Sequence, residues 1–431
     1  MSTQPDPLPA AARPGRTTLA RPAYVTRALD QLERISAEGQ RRVLRPVRPV
    51  SEHHHVALPD GRVVVDFASN DYLGLRRHRV LVEAAARGAA DWGTGAGASR
   101  LITGSSPLHE EVETALAQLH GAQRALVTSS GYAANVATLS TLAALEGATF
   151  FSDELNHASI IDALRMAKRV APVYVYPHLD YDELQRLLTQ HCTPSPSPSP
   201  SASLPIVVSD TVFSMDGDRA DLTALAALAT RHDGVLVVDD AHEVFTPTKA
   251  GPDAGVVVVG TLSKRLASQG GYVAGDSAVI DLIVNRARPF IFSTALAPPL
   301  AATVLAALEL EAGAEGDRFR AALRANLDTL GCPPAAATAD VRSPIVALVV
   351  GSEQAALDAS ERLLDAGFLV PAIRPPTVAP GSSRLRIAVS ASHRPDDVAR
   401  LRDALATTGL RTAHDAAARA SRRTLTRPAA P

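Results

Sequence analysis

A chain of 431 residues, 46% hydrophobic and 20% charged, has the make-up of an ordinary globular protein and length for two or three domains at roughly 150 residues each. Its formal net charge of −2 gives no footprint for nucleic acid or an anionic membrane. No apolar run nears the ~18 residues that span a bilayer, Met1 to Asp6 hold no apolar signal region, and the two cysteines, Cys192 and Cys332, match no disulfide or metal framework, so a cytoplasmic setting is expected.

In chain order, residues 1–20 lack periodicity and read as a tail. Apolar spacing predicts a helix over 24–40, and the β-branched run 61–67 a strand. From Arg124 the pattern alternates. Strands are predicted at 124–128, 148–152, 172–176, 205–209, 235–238 and 256–259, with helices from 132 and over 158–168, 181–188 and 221–232. The continuous valine runs at 235–238 and 256–259 suit strands buried on both faces. This is the signature of an α/β domain with a mostly parallel sheet. Alternate prolines at 193–203 bar helix and central strand, which marks a loop-like insert. Beyond Pro298-Pro299 an Ala/Leu-rich helix is predicted. Strands follow at 345–350, 368–373 and 384–389, with helices at 353–365 and 395–406, as a smaller α+β domain. Residues 412–431 read as a second tail.

Only three of 43 basic residues are lysines: Lys168, Lys249 and Lys264. Lys168 is expected to cap a helix end and Lys249 to be solvated in its loop. Lys264 follows the 256–259 strand in Gly260-Thr261-Leu262-Ser263-Lys264, where open α/β sheets place ligands. A surface lysine in a strand–helix turn is an equal reading of that segment alone. Asp239 and His242, in Asp239-Asp240-Ala241-His242, end another buried strand. A carboxylate there could pair with a protonated pyridine nitrogen, or serve as a metal ligand or helix cap. The metal reading lacks a phosphate loop to accompany it. Ser129-Ser130-Gly131-Tyr132 opens a helix whose amides could hold a phosphate. His157 follows one more strand. Amine, carboxylate, imidazole and phosphate cradle on one sheet edge together describe a site for pyridoxal 5′-phosphate (PLP).

The ordered set Ser69-Asn70-Asp71-Tyr72-Leu73-Gly74-Leu75, Gly97 to Gly104 with His109 after it, Ser130 to Asn135, Asn156-His157-Ala158-Ser159, Phe213 to Asp218, Gly260 to Lys264, Pro289 to Thr294 and Arg384-Leu385-Arg386 resembles the α-oxoamine synthase family over about residues 25–410. The resemblance implies a fold-type I PLP-dependent transferase: an N-terminal tail and arm at 1–65, a large PLP-binding domain at 66–296, a small C-terminal domain at 297–411 and a tail at 412–431. Within the family, the stretches 209–214, 288–292 and 374–378 resemble the branch that joins L-alanine to a pimeloyl thioester, on coenzyme A or acyl carrier protein, in biotin biosynthesis. It further implies that Lys264 is the Schiff-base lysine, His157 stacks on the pyridine ring, Asp239 pairs with its nitrogen, and His242 and Ser214 bond the phenolic oxygen side. Gly131, Tyr132 and Thr261 would hold the phosphate. Ser293 and Thr294 would reach the phosphate of the neighbouring subunit in a homodimer. Asn70 and Arg386 would hold the substrate carboxylate, with Arg384 as competitor for Arg386. Another amino acid or acyl thioester, or a silent subunit of the same fold, remains an alternative. Four features depart from the family pattern: Glu243-Val244-Phe245 where small residues are usual, Arg265 after the lysine, a shortened stretch from His242 to Lys264, and alanine within Gly95-Ala96-Gly97-Ala98. The first two are expected at the rim of the site.

Overall fold

The computed structural model describes residues 21–51, 53–192, 203–250, 255–331 and 342–407. The insert at 193–203 (apart from Ser203), both expected tails and Cys332 lie outside them. The chain divides into two compact units, Met1–Arg45 and Pro46–Pro431. The first contains the predicted helix, Ala23–Ala37.

The second unit is built on a seven-stranded sheet. Its spatial order is Arg124–Thr128, Gly271–Gly275, Val256–Thr261, Val235–Asp239, Leu204–Asp210, Ala148–Asp153 and Val173–Tyr176. Six strands run the same way and Gly271–Gly275 runs against them. That reversed strand, Gly-Tyr-Val-Ala-Gly, carries no sustained apolar run and has no counterpart in the sequence prediction. The sheet is covered on both faces. Val256 and Val258 pack into one core with Leu116, Phe151 and Leu236, and Val257 and Val259 into another with Phe150, Ile206 and Val237. Alternate residues of one strand thus feed opposite cores, as the pleat requires. Short polar residues start the covering helices. Ser130, Asp180 and Asp221 accept hydrogen bonds from Ala133, Glu183 and Ala224 amides that would otherwise be unpaired.

Two small sheets follow. Ile345–Gly351, Ser383–Ala388 and Ala372–Ile373 form an antiparallel sheet in that order, with Ser383–Ala388 central. The strand expected over 368–373 is in fact two. Phe368–Leu369 pairs in parallel with Val63–Asp66, whereas Ala372–Ile373 pairs with Ser383–Ala388. Pro371 explains the break. It has no N–H to continue a ladder, while its carbonyl accepts from the Arg386 amide at 3.1 Å. The early strand Val63–Asp66 is thereby tied to the C-terminal region.

Candidate active site

Asp239 is the last residue of its strand, and Thr261 the last of its own, three residues before Lys264. His157 and Ser130 are the N-caps of helices that follow the Ala148–Asp153 and Arg124–Thr128 strands. Because these strands are parallel, all four stations gather at one edge of the sheet.

Lys264 Nζ lies 2.8 Å from His242 Nε2, and His242 Nδ1 lies 2.6 Å from the Tyr72 hydroxyl. Tyr72 donates to Asn70 Oδ1 at 3.0 Å, which also accepts from Arg386 Nη1 at 3.1 Å. Each group finds a partner if Lys264 donates to Nε2 and the histidine proton sits on Nδ1. Burial, with Lys264 and Arg386 nearby, pushes His242 well below the usual histidine range. Burial also lowers Lys264 to about 8, with Asp239 opposing, and raises Tyr72 to about 12. A lysine in this setting releases its proton far more readily than one in water.

Asp239 is braced by Asn135, whose Nδ2 donates to Oδ2 at 2.6 Å, and by the Ala241 amide on Oδ1 at 3.0 Å. Asn135 Nδ2 also lies 2.9 Å from Ser159 Oγ, which in turn contacts His157 Nδ1 at 2.7 Å. One asparagine therefore links the carboxylate to the imidazole. Burial lowers the His157 pKa, with Asp239 opposing.

The phosphate cradle is equally compact. A Cβ on Gly131 would stand 3.2 Å from Thr261 Cβ, and one on Gly271 would stand 2.4 Å from the Gly131 nitrogen. Glycine at both positions lets three backbones meet beneath the start of the helix Gly131–Leu142. Thr261 Oγ1 and Ser263 Oγ are 2.8 Å apart beside it.

Of the two carboxylate-binding candidates, Arg386 joins this network. It also donates to the Ser214 carbonyl at 2.6 Å. Arg384 turns away to an ion pair with Asp216. Ser293 and Thr294 follow the short helix Arg288–Ile291. Thr294 bridges Ser99, and Ala295 donates to the Ala98 carbonyl at 3.0 Å.

Two of the unusual residues are not at a rim. Glu243 is buried, and its Oε1 accepts from the amides of Val244, Phe245 and Thr246 at 2.8–3.0 Å while Oε2 pairs with Arg219. It closes its own loop from inside. Arg265 is buried against Glu311 at 3.1 Å. Lys249 is exposed in its loop, as expected, and donates to the Leu119 carbonyl at 2.5 Å. Three features escaped the sequence reading. The Tyr72 hydroxyl and the Asn135 brace belong to quoted motifs but had no assigned role. His178 bridges Asp153 at 2.9 Å and Asp218 at 2.7 Å. Burial would lower its pKa, but the two carboxylates outweigh that and push it up to about 10.

Residues 62–405 match the family model for aminotransferase class I and II. The chain is 45% identical over 402 residues to 8-amino-7-oxononanoate synthase of Burkholderia orbicola, spanning 88% of this chain and 94% of that relative. It is 43% identical over 392 residues to the enzyme of the same name from Paraburkholderia phymatum, with 87% and 95% covered. The chain belongs to the 8-amino-7-oxononanoate synthase family, within the class I and II aminotransferases. In fold it is similar to serine palmitoyltransferase from S. paucimobilis with bound PLP–myriocin aldimine. The TM-score is 0.76 at 26% identity, over 90% of this chain and all of that one. It shares the fold of 8-amino-7-oxononanoate synthase from Francisella tularensis at TM-score 0.63 and 23% identity, over 80% and 97% of the two chains. Family membership makes the chain PLP-dependent, and its residues fit that cofactor. The fit rests on a glycine cradle that any side chain would fill, a braced carboxylate and a desolvated lysine. Among the described residues no helix is long and apolar enough to cross a membrane.

Proposed function

We propose that the protein condenses L-alanine with a pimeloyl thioester, releasing carbon dioxide and the carrier thiol, to make 8-amino-7-oxononanoate for biotin. Its relatives of that name support the reaction. The observation that carries the assignment to residues is the chain Lys264–His242–Tyr72–Asn70–Arg386 beside a braced Asp239. PLP, when bound, supplies an electron sink for the charge left on the alanine Cα as its proton departs.

The remaining work belongs to the protein. Lys264 is the residue that binds PLP covalently, then takes the Cα proton and later returns one. Its pKa, lowered to about 8, brings the neutral amine within reach near neutrality, roughly a tenth of it at pH 7 against well under a thousandth at the ordinary lysine value. His157 would stack on the pyridine ring, and Asp239 would keep the ring nitrogen protonated by charge pairing. Gly131 and Tyr132 amides, with Thr261, would hold the phosphate at a helix N-terminus. His242 and Ser214 would bond the phenolic oxygen side. Arg386 and Asn70 bind the alanine carboxylate, which fixes the substrate at two points and orients the Cα–H bond toward Lys264. The new carbon–carbon bond forms at the thioester carbonyl as the thiolate leaves. The old bond to the carboxyl carbon then breaks, with loss of carbon dioxide.

The reading places the large sheet in a PLP-binding domain at 66–296 and the three-stranded sheet centred on Ser383–Ala388 in a small domain at 297–411, in a cytoplasmic homodimer. Ser293 and Thr294 reach the neighbour's phosphate. The exposed Leu101, Ile102 and Phe292 around the Ser99–Thr294 bridge support such a contact. The deciding assay gives purified enzyme L-alanine with pimeloyl-CoA or pimeloyl-acyl carrier protein and identifies the product by mass. Turnover of glycine or serine without alanine would overturn the substrate.

A further inference from the structure

Asp210 has no part in the reaction above, yet it lies within the same site. It ends the strand Leu204–Asp210 and is in parallel register with Asp239. Residues so paired project from the same face of the sheet, with backbones roughly 4.8 Å apart. Asp210 is 2% exposed, and neither carboxylate oxygen has a hydrogen-bond partner of good geometry. Asp239, by contrast, accepts one hydrogen bond on each oxygen. Two carboxylates side by side in a dry floor do not both ionise, and the proton settles on the one without donors.

The charges facing Asp210 come from three neighbouring elements. Burial first, then Asp239 and Asp153, resist its ionisation; Lys264 and the His157 amide favour it. The balance holds its carboxyl well above the usual range. Ionised Asp210 and Asp239 would each bind Lys264 more tightly to its proton.

We propose that Asp210 is a positioning residue kept as a neutral acid, so that Asp239 alone charges the floor of the site and Lys264 is spared a second anion. This rests on the roles of Lys264 and Asp239 given above. It adds a function to a residue that touches neither substrate nor the reacting atoms. The proton count of the site, one shared by two carboxylates, is then a built property of the strand register.

Infrared spectroscopy of the holoenzyme, with and without carboxyl-13C aspartate, tests it. The expected result is a protonated-carboxyl stretch at neutral pH that moves with the label and disappears in Asp210→Asn. That variant keeps shape and neutrality, so the pH midpoint of the visible PLP band should stay within about threefold in proton affinity, whereas Asp239→Asn should move it tenfold or more. A wild-type spectrum with ionised aspartates alone overturns the proposal, and needs no variant to fold. So does a tenfold shift in Asp210→Asn. Persistence of the lysine-bound PLP band in Lys264→Ala would instead sink the functional reading, leaving the infrared result to stand by itself.

Discussion

Lys264 is distinguished by its surroundings more than by its rarity. Of the three lysines, Lys249 is spent on a carbonyl and Lys168 is the C-cap of the Ala158–Ala167 helix. Lys264 alone of the three lies 2.8 Å from an imidazole, and burial lowers its pKa. Borohydride reduction of the holoenzyme should therefore fix PLP to a single peptide, the one containing Lys264, and Lys264→Ala should lose the label. A label at Lys168 or Lys249 on peptide mapping would refute the assignment. His178 makes a second test at this scale. Its pKa stands raised from 6.5 to about 10 by the two carboxylates it bridges, after burial has pulled the other way. A raised folded pKa stabilises fully below the unfolded value and ceases to stabilise as pH climbs through the folded one. The loss of melting temperature in His178→Asn should thus be largest near pH ~6 and shrink toward pH ~10. An equal loss at both ends would show that the bridge carries no charge. Lys264, Asp239 and His157 were legible because each stands at or just beyond the C-terminal end of a strand that the sequence predicts. Tyr72 was quoted within a motif but given no role, since its partner His242 is 170 residues away. No local periodicity reports such a contact.

At the scale of elements, the parallel strands were readable because burial on both faces forces unbroken apolar runs such as Val256 to Val259. Gly271–Gly275 was not, because a five-residue strand with glycine at both ends matches no periodic template. The run 368–373 misled in the opposite way. Its apolar character is continuous, but Pro371 divides it between two sheets. The loop after Asp239 shows how sequence can suggest a functional departure where packing is the cause. The buried Glu243 holds three successive amides and pairs with the part-buried Arg219. Removing its carboxylate leaves those amides unpaired and strands Arg219, at a cost toward the low end of the roughly 3–5 kcal/mol of broken buried pairs. Glu243→Ala should accordingly lower unfolding stability by about 3 kcal/mol in urea. The soluble fraction should keep its preference for alanine over glycine. A changed amino-acid preference with unchanged stability would return Glu243 to the rim of the substrate site.

For the whole molecule, the open question is how one chain completes its site. Every group from Lys264 to Arg386 is supplied within one subunit, and the second compact unit brings Asn70, His242 and Arg386 together across more than 300 residues of sequence. Ser293 and Thr294 lie on a turn pinned to Ala98 and Ser99. Around that turn Ile102 is 75% and Phe292 68% exposed. Large apolar side chains grouped in this way cost free energy in water unless another surface covers them. A second copy meeting this region would bury them and bring Ser293 and Thr294 to its neighbour's cradle. Ile102→Asp should then shift the protein from dimer to monomer in sedimentation velocity. It should also weaken PLP binding by tenfold or more, about 1.4 kcal/mol, although no residue of its own cradle has changed. Weakened PLP binding in a protein that still sediments as a dimer would place the defect within the subunit. A monomer with full PLP affinity would show that the phosphate is held by Gly131, Tyr132 and Thr261 alone.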